Sequence, residues 1–242
     1  MQPCPTFTQT ISVRRQDADF TGHMKPGALL RYAQQIATDH CTAVGFDLDF
    51  YRTNHCGFVI VKQELRFSRV PIVDEVLTLT TMPEKARHAT SRRMLVVQDA
   101  AGETIAQVFS WWVLMDSDTR RILRRRPAEM EQHWPEKVEL TQEYRLPQAE
   151  VLTPGGTILA DYQVCDTNRH INNCIYADLA CGAVPLEQLE DKPIRRMLVS
   201  YHREVQLGDS MTLASGPAED GWYTTGTRNS DGMMAFEAFC SL

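Results

Sequence analysis

The side chains with the most chemistry to offer are crowded into one short stretch. Asp166, Asn168, His170, Asn172 and Asn173 fall within eight residues, and each can orient a ligand or move a proton. A helical apolar stripe, Ile175, Tyr176, Leu179 and Ala180, begins directly after them, so the cluster stands at a helix start. N–H groups at such a position stabilise an anion or a developing oxyanion. A carboxylate four residues before a His can orient its ring and set its tautomer. Asp and Asn also favour turns and helix caps for their own sake. That explains any one of these residues better than it explains the whole cluster. Glu204 has apolar or small residues alternating around it, so it reads as a strand residue, with His202 on its face and Arg203 on the other. Turned inward, burial would raise its pKa toward that of a useful general base. Turned outward it is a solvated carboxylate, which the pattern alone favours.

A degraded copy of the cluster stands in the first half, at Asp17, Asp19, Gly22 and His23. Lys25 and Pro26 occupy the places of Asn172 and Asn173, so a turn and cap is the expected role. Arg120, Arg121, Arg124, Arg125 and Arg126 put five Arg in seven residues. Lys85, Arg87, His88, Arg92 and Arg93 form a second basic segment. Charge runs are usually solvated faces, but local concentration can also steer an anionic partner. Trp111 and Trp112, with Phe109 and Met115, read most simply as core, with a pocket for a long apolar ligand as the alternative.

These groups need elements to hold them, and the elements repeat. Each half opens with an alternating run, at 7–13 and 157–164, followed by Asp-x-x-x-His and a helical pattern. In the first half Leu29, Leu30, Ala33, Ile36, Ala37, Cys41 and Val44 share one helical face between Pro26 and Gly45. Strand-like runs follow, 58–67 corresponding to 196–205 and 73–77 to 208–212. Hairpin turns end at Gly102 and Gly232. Each half thus predicts a strand, a long helix and four antiparallel strands: an α+β unit with a curved sheet around a helix. Between them, residues 127–156 hold Pro127, Pro135, Pro147, Pro154, Gly155, Gly156 and six Glu, which reads as an exposed connection. The expected division is therefore 1–126, 127–156 and 157–242.

Composition narrows the class. The chain has 242 residues, 43% hydrophobic and 23% charged, enough for a core without staples and unlike a disordered chain. A net charge of −6 disfavours nucleic acid as a partner. No run approaches the ~18 apolar residues of a membrane span, and the first residues lack a signal peptide's apolar core. The seven cysteines are scattered without a CxxC pair, as free thiols of a reducing cytoplasm would be. No Cys or His clusters at zinc spacing, and cysteine catalysis has no local support.

The sequence from about 8 to 242 resembles the acyl-acyl-carrier-protein thioesterases of plants and bacteria. The likeness rests on Asp166-x-Asn168-x-His170-x-Asn172-Asn173 with Tyr176, and on the stretch from Tyr201 to Glu204. It also rests on Trp112 to Asp116 with Thr119, Arg120 and Arg121, and on Ala28, Leu29, Leu30 and Gln34. The resemblance implies a double hotdog fold and hydrolysis of the thioester joining a fatty acyl chain to the carrier's phosphopantetheine arm. It implies Asp166, Asn168, His170 and Glu204 as catalytic positions, and it needs neither metal nor redox cofactor. Asn172, Asn173, Tyr176 and Trp112 are expected against substrate, and the acyl pocket in the first unit between helix and sheet. Arg120, Arg121, Arg124, Arg125 and Arg126 are expected to meet the carrier, which is acidic. The family often has Cys after the Glu. Val205 stands there, so no thiol nucleophile is available at that place, and water is favoured. Glu204 and His170 would position and deprotonate it, Asn168 would hold the water or the carbonyl, and Asp166 would orient the loop. The competing readings are an acyl-CoA thioesterase, a silent acyl- or carrier-binding module, and a hotdog hydratase or dehydratase. A monomer or a homodimer is compatible with all of them.

Overall fold

A computed structural model describes residues 5–132 and 144–242. Cys4, Pro135, Glu136, Glu139 and Glu143 of the readings above lie outside the described residues. The first unit runs β1 (Phe7–Ser12), α1 (Pro26–Ala43), α2 (Leu48–Thr53), β2 (Cys56–Phe67), β3 (Val76–Pro83), β4 (Thr90–Gln98) and β5 (Thr104–Asp116). The second runs β6 (Thr153–Leu159), α3 (Asn173–Gly182), α4 (Leu186–Asp191), β7 (Arg196–Tyr201), β8 (Ser210–Ala218), β9 (Gly221–Arg228) and β10 (Met234–Ser241).

All ten strands join in one antiparallel sheet of order β1-β3-β4-β5-β2-β7-β10-β9-β8-β6. The order reads the same from either edge, unit for unit. The two units meet where β2 pairs with β7, with Glu64 opposite Leu198 at the pseudo-twofold. This is the expected α+β double hotdog arrangement. Strand alternation separates two faces. Leu65, Phe67, Met197 and Val199 pack toward α1 and α3 in the main core. Leu198 points the other way, onto Tyr223 and Phe239.

The helix α1 forms where its stripe predicts. Pro26 takes the first helical position, where its missing N–H is harmless. The end is a Schellman motif: Gly45 adopts φ +89°, Phe46 N–H donates to the Cys41 carbonyl at 2.8 Å and Gly45 N–H to Thr42 at 3.0 Å. Where α1 crosses α3, a Cβ on Gly27 would lie 2.1 Å from Asp178 Oδ1, so a larger residue would have to displace the Asp178 carboxylate. An Arg31–Asp178 ion pair at 2.7 Å closes the same crossing.

Four expectations change. The second helix is short, ten residues against eighteen in α1. The connection does not reach 156, because β6 already begins at Thr153 and Pro154 pairs with Ala214. Nor is the connection merely exposed. Tyr144, Leu146 and Ala149 cover the outer face of the sheet, and Lys62 sits over the Trp111 and Tyr144 rings at 4.8 and 4.4 Å. Finally, the repeat is four residues out of register in its central strands. Matching bonds tie Met24 N–H to Pro71 O and Ile171 N–H to Val205 O, so 62–71 is the counterpart of 196–205. The first-unit strand β2 is twelve residues long against six in β7, and is bulged between Ile60 and Lys62, which hid the offset. The counterpart of Glu204 is Val70.

Candidate active site

The loop before α3 is built by its own polar groups. Asp166 N–H donates to the His170 carbonyl and Arg169 N–H to the Asp166 carbonyl, both at 3.0 Å. Arg169 takes a left-handed φ of +62° to make that turn. The Asp166 carboxylate accepts Asn168 N–H at 2.8 Å, and the Asn168 and Asn172 side-chain amides approach it at 3.4 Å. Asp166 therefore orients the loop rather than the His170 ring. Asn172 caps α3, its Oδ1 accepting Cys174 N–H at 2.9 Å.

A second segment holds the loop in place. Ile171 N–H donates to Val205 O at 2.9 Å and Leu207 N–H to Arg169 O at 2.8 Å. Glu204 lies in this segment and not on a strand, since β7 ends at Tyr201. The N–H groups of His202 and Arg203 both donate to the Ala235 carbonyl, at 2.8 and 3.1 Å. Two residues opposite one breaks the alternation, as a bulge does, and re-aims Glu204. His202 no longer shares its face and bonds Glu237 at 3.1 Å instead.

The result brings His170 and Glu204 together. His170 Nδ1 is 3.0 Å from the Ile171 carbonyl oxygen. A carbonyl only accepts, so Nδ1 carries a proton, and in the neutral ring Nε2 presents its lone pair. Nε2 lies 3.8 Å from Glu204 Oε1, with the side chains 20% and 29% exposed. That is too long for a direct hydrogen bond and fits one bridging water. The second oxygen, Oε2, is held by Arg120, and Arg228 Nη1 donates to the Glu204 carbonyl at 2.8 Å. The Arg228 guanidinium in turn holds the Asp231 carboxyl down at about 2.

Arg120 comes from the other unit. After β5 the chain turns on Asp116, whose Oδ1 accepts from Asp118 N–H, Thr119 N–H and the Thr119 hydroxyl. Arg120, at φ +57°, then reaches Glu204. Sequence reading placed Arg120 with the carrier and missed this pairing. Nor is Arg126 turned outward: it donates to Ser91 Oγ at 2.7 Å and lies over Phe58. Arg121, Arg124 and Arg125 remain exposed. The second basic segment is partly internal, with Arg92 on Glu84 at 2.6 Å and Arg93 buried.

Of the expected substrate contacts, Tyr176 is core, 4% exposed and stacked on Phe236 at 4.7 Å. Burial raises its phenol pKa above the ordinary value. Asn173 is half-buried at the first turn of α3. Trp112 lines a cavity of about 250 Å³ in the first unit, with Ala37, Cys41, Tyr51, Phe58 and Pro83. Gln34 lines it too, and its Oε1 accepts from Cys174 Sγ at 3.5 Å. The Gln34 end of the cavity thus lies beside the first turn of α3, which follows the His170 loop. Burial pushes the Cys174 thiol up to about 12, so it stays protonated. Among the described residues, no group of three His, Cys, Asp or Glu could hold a metal ion, and no helix is long and apolar enough to cross a membrane.

Family models match both halves of the chain. The acyl-ACP thioesterase N-terminal domain matches residues 5–131, and the C-terminal domain of the same family matches 160–233. An oleoyl-acyl carrier protein thioesterase of Arabidopsis thaliana is 26% identical over 81% of this chain and 60% of its own length. A chloroplastic acyl-acyl-carrier-protein hydrolase of Cuphea viscosissima is 25% identical over 89% of this chain and 56% of its own. The chain thus spans at most about 60% of the length of these plant relatives. An acyl-ACP thioesterase structure from Bacteroides thetaiotaomicron superposes with a TM-score of 0.86, 20% identity and coverage of 98% and 97% of the two chains. The 12:0-ACP thioesterase of Umbellularia californica gives 0.83 at 18% identity, covering 100% and 98%. With one domain model matching more than half of the chain and its companion matching most of the rest, the chain belongs to the acyl-ACP thioesterase family.

Proposed function

We propose that the chain hydrolyses the thioester between a fatty acyl group and the phosphopantetheine arm of an acyl carrier protein, releasing free fatty acid. The 3.8 Å separation of His170 Nε2 and Glu204 Oε1 carries the reading. Two acceptors at that spacing take both protons of one water and leave its lone pairs facing the substrate. The water oxygen attacks the thioester carbonyl carbon while the pair accepts its proton. Arg120 occupies Oε2, leaving Oε1 to the water. The oxyanion meets Asn168 and the Asn173 N–H at the start of α3. Collapse breaks the C–S bond, and the pair returns the proton to the leaving thiolate. The acyl chain runs past Gln34 into the cavity beside Trp112.

The carrier is proposed to dock on Arg121, Arg124 and Arg125, which follow the turn that sends Arg120 into the site. The test compares one acyl chain on carrier and on CoA. Reversing Arg124 and Arg125 to Glu should cut carrier-linked turnover about 10-fold at low salt and spare a small thioester. Equal loss on both substrates would remove the docking patch, and faster turnover of the CoA ester by the unaltered chain would favour the acyl-CoA reading.

A further inference from the structure

The far end of the cavity is polar, and hydrolysis of a plain fatty acyl chain has no use for that. Glu84, directly after β3, lines the cavity and is 1% exposed. Its Oε1 takes Arg92 Nη2 at 2.6 Å and Arg87 Nε at 3.3 Å. Its Oε2 is buried and, among the described residues, has no hydrogen-bond donor. Buried acceptors are nearly always paired, and an unpaired one costs free energy. An alkyl chain laid against Oε2 would leave it unpaired. The surroundings reinforce the contrast. Thr38, Ser91, Arg92 and Arg93 share the lining with Glu84, and Arg93 is buried against Thr81 Oγ1 at 3.0 Å and His40 Nδ1 at 3.2 Å.

We propose that this cavity takes an acyl chain bearing a hydroxyl group toward its far end, and that the hydroxyl donates to Glu84 Oε2. The substrate class rests on the thioester-hydrolase reading above; the hydroxyl recognition rests on the cavity alone. The position of the hydroxyl follows from the helix. Gln34 stands at the catalytic end of the lining and Cys41 seven residues further along α1, about 10 Å deeper at 1.5 Å per residue. Arg93 Nη2 lies 3.7 Å from Cys41 Sγ and Arg93 pairs across the sheet with Pro83, next to Glu84, so this part of the polar wall sits at that depth, away from the thioester. A cavity of about 250 Å³ has room for roughly eight water-sized atoms, which suits a chain of medium length. A second carboxylate at the chain end would lie against the Glu84 carboxylate, with Arg92 already engaged by Glu84 and Arg93 by Thr81 and His40, and is disfavoured.

The experiment measures binding of free acids to the whole protein by titration calorimetry. The ligands are decanoate, 10-hydroxydecanoate, 10-methoxydecanoate and decanedioate. The methoxy acid has the same oxygen without a proton to give. The hydroxy acid should bind about 10-fold tighter than decanoate or the methoxy acid, and decanedioate no tighter than decanoate. Glu84→Leu, checked for folding by its melting curve, should bring the hydroxy acid level with decanoate; the methoxy comparison decides the matter if that variant does not fold. Equal binding of decanoate and the hydroxy acid overturns the proposal and leaves Glu84 as an anchor for Arg87 and Arg92 only. Tightest binding by decanedioate, or no binding by any of the four, also overturns it. Because free acids are used, the outcome stands apart from hydrolysis. Turnover that depends on Glu204 but is equal on decanoyl and 10-hydroxydecanoyl carrier sinks this proposal alone, whereas tight hydroxy-acid binding without any turnover sinks the hydrolase reading alone.

Discussion

The loop around Asp19 and the loop around Asp166 have the same backbone and different chemistry. In each, the Asp N–H donates to the carbonyl of the His four residues on, at 2.8 Å for Asp19 and 3.0 Å for Asp166. In each, the residue before the His donates back to that Asp, Gly22 at 3.1 Å and Arg169 at 3.0 Å. The carboxylate accepts the N–H two residues on, Thr21 or Asn168, at 2.8 Å in both. What differs is the surroundings of the imidazole. His23 Nδ1 lies 2.8 Å from the Thr21 hydroxyl, and Val70, 6% exposed, stands where the second unit has Glu204. The fold supplies the loop twice. One carboxylate in the facing segment, with Arg120 sent across from the other unit to hold it, separates a turn from a candidate site.

That comparison can be broken most sharply by rate. Glu204→Ala should lower kcat/KM on acyl carrier protein by about 10³-fold, within the range for a lost general base, while His23→Ala stays within about 2-fold. Comparable losses in the two variants would mean that the first loop also does chemistry. Val70→Glu restores the residue type of the second loop in a buried, apolar position. It should cost roughly 2–4 kcal/mol of stability, read by denaturant unfolding, because the carboxyl gains no partner there. It should not add activity. The smallest effect belongs to Cys174, the buried thiol in the first turn of α3. With its pKa pushed up to about 12, it stays protonated at pH 8. Cys174→Ala and alkylation at that pH should each change turnover by less than about 2-fold; inactivation by alkylation that Cys174→Ala abolishes would implicate a thiol after all.

Much of this was legible in the sequence, and the parts that were not share a cause. The repeat, the order of its elements, the α1 stripe with Pro26 and Gly45, and the Asp166-to-His170 cluster all depend on local spacing, which a sequence displays. The placement of Glu204 does not, because a bulge against Ala235 makes it, and a bulge needs a partner strand. The four-residue slip between the halves has the same origin in the unequal lengths of β2 and β7. Arg120 lies in a run already tied to the family, yet its reach to Glu204 crosses between units. Arg92 and Arg93 stand in a run that reads as a solvated face, because only tertiary packing shows that Arg93 and the neighbouring Glu84 are buried around a cavity. The net charge of −6 was the least informative quantity, since the exposed Arg121, Arg124 and Arg125 fall within five residues directly after Arg120.

The central claim is that water, held by His170 and Glu204, is the nucleophile. A single turnover in ¹⁸O-enriched water, with protein in excess over acyl carrier protein, tests it directly. One ¹⁸O in the released fatty acid from that first turnover is the predicted result. Unlabelled acid, with the ¹⁸O retained in the Glu204 carboxyl, would show attack by the carboxylate itself and contradict the account.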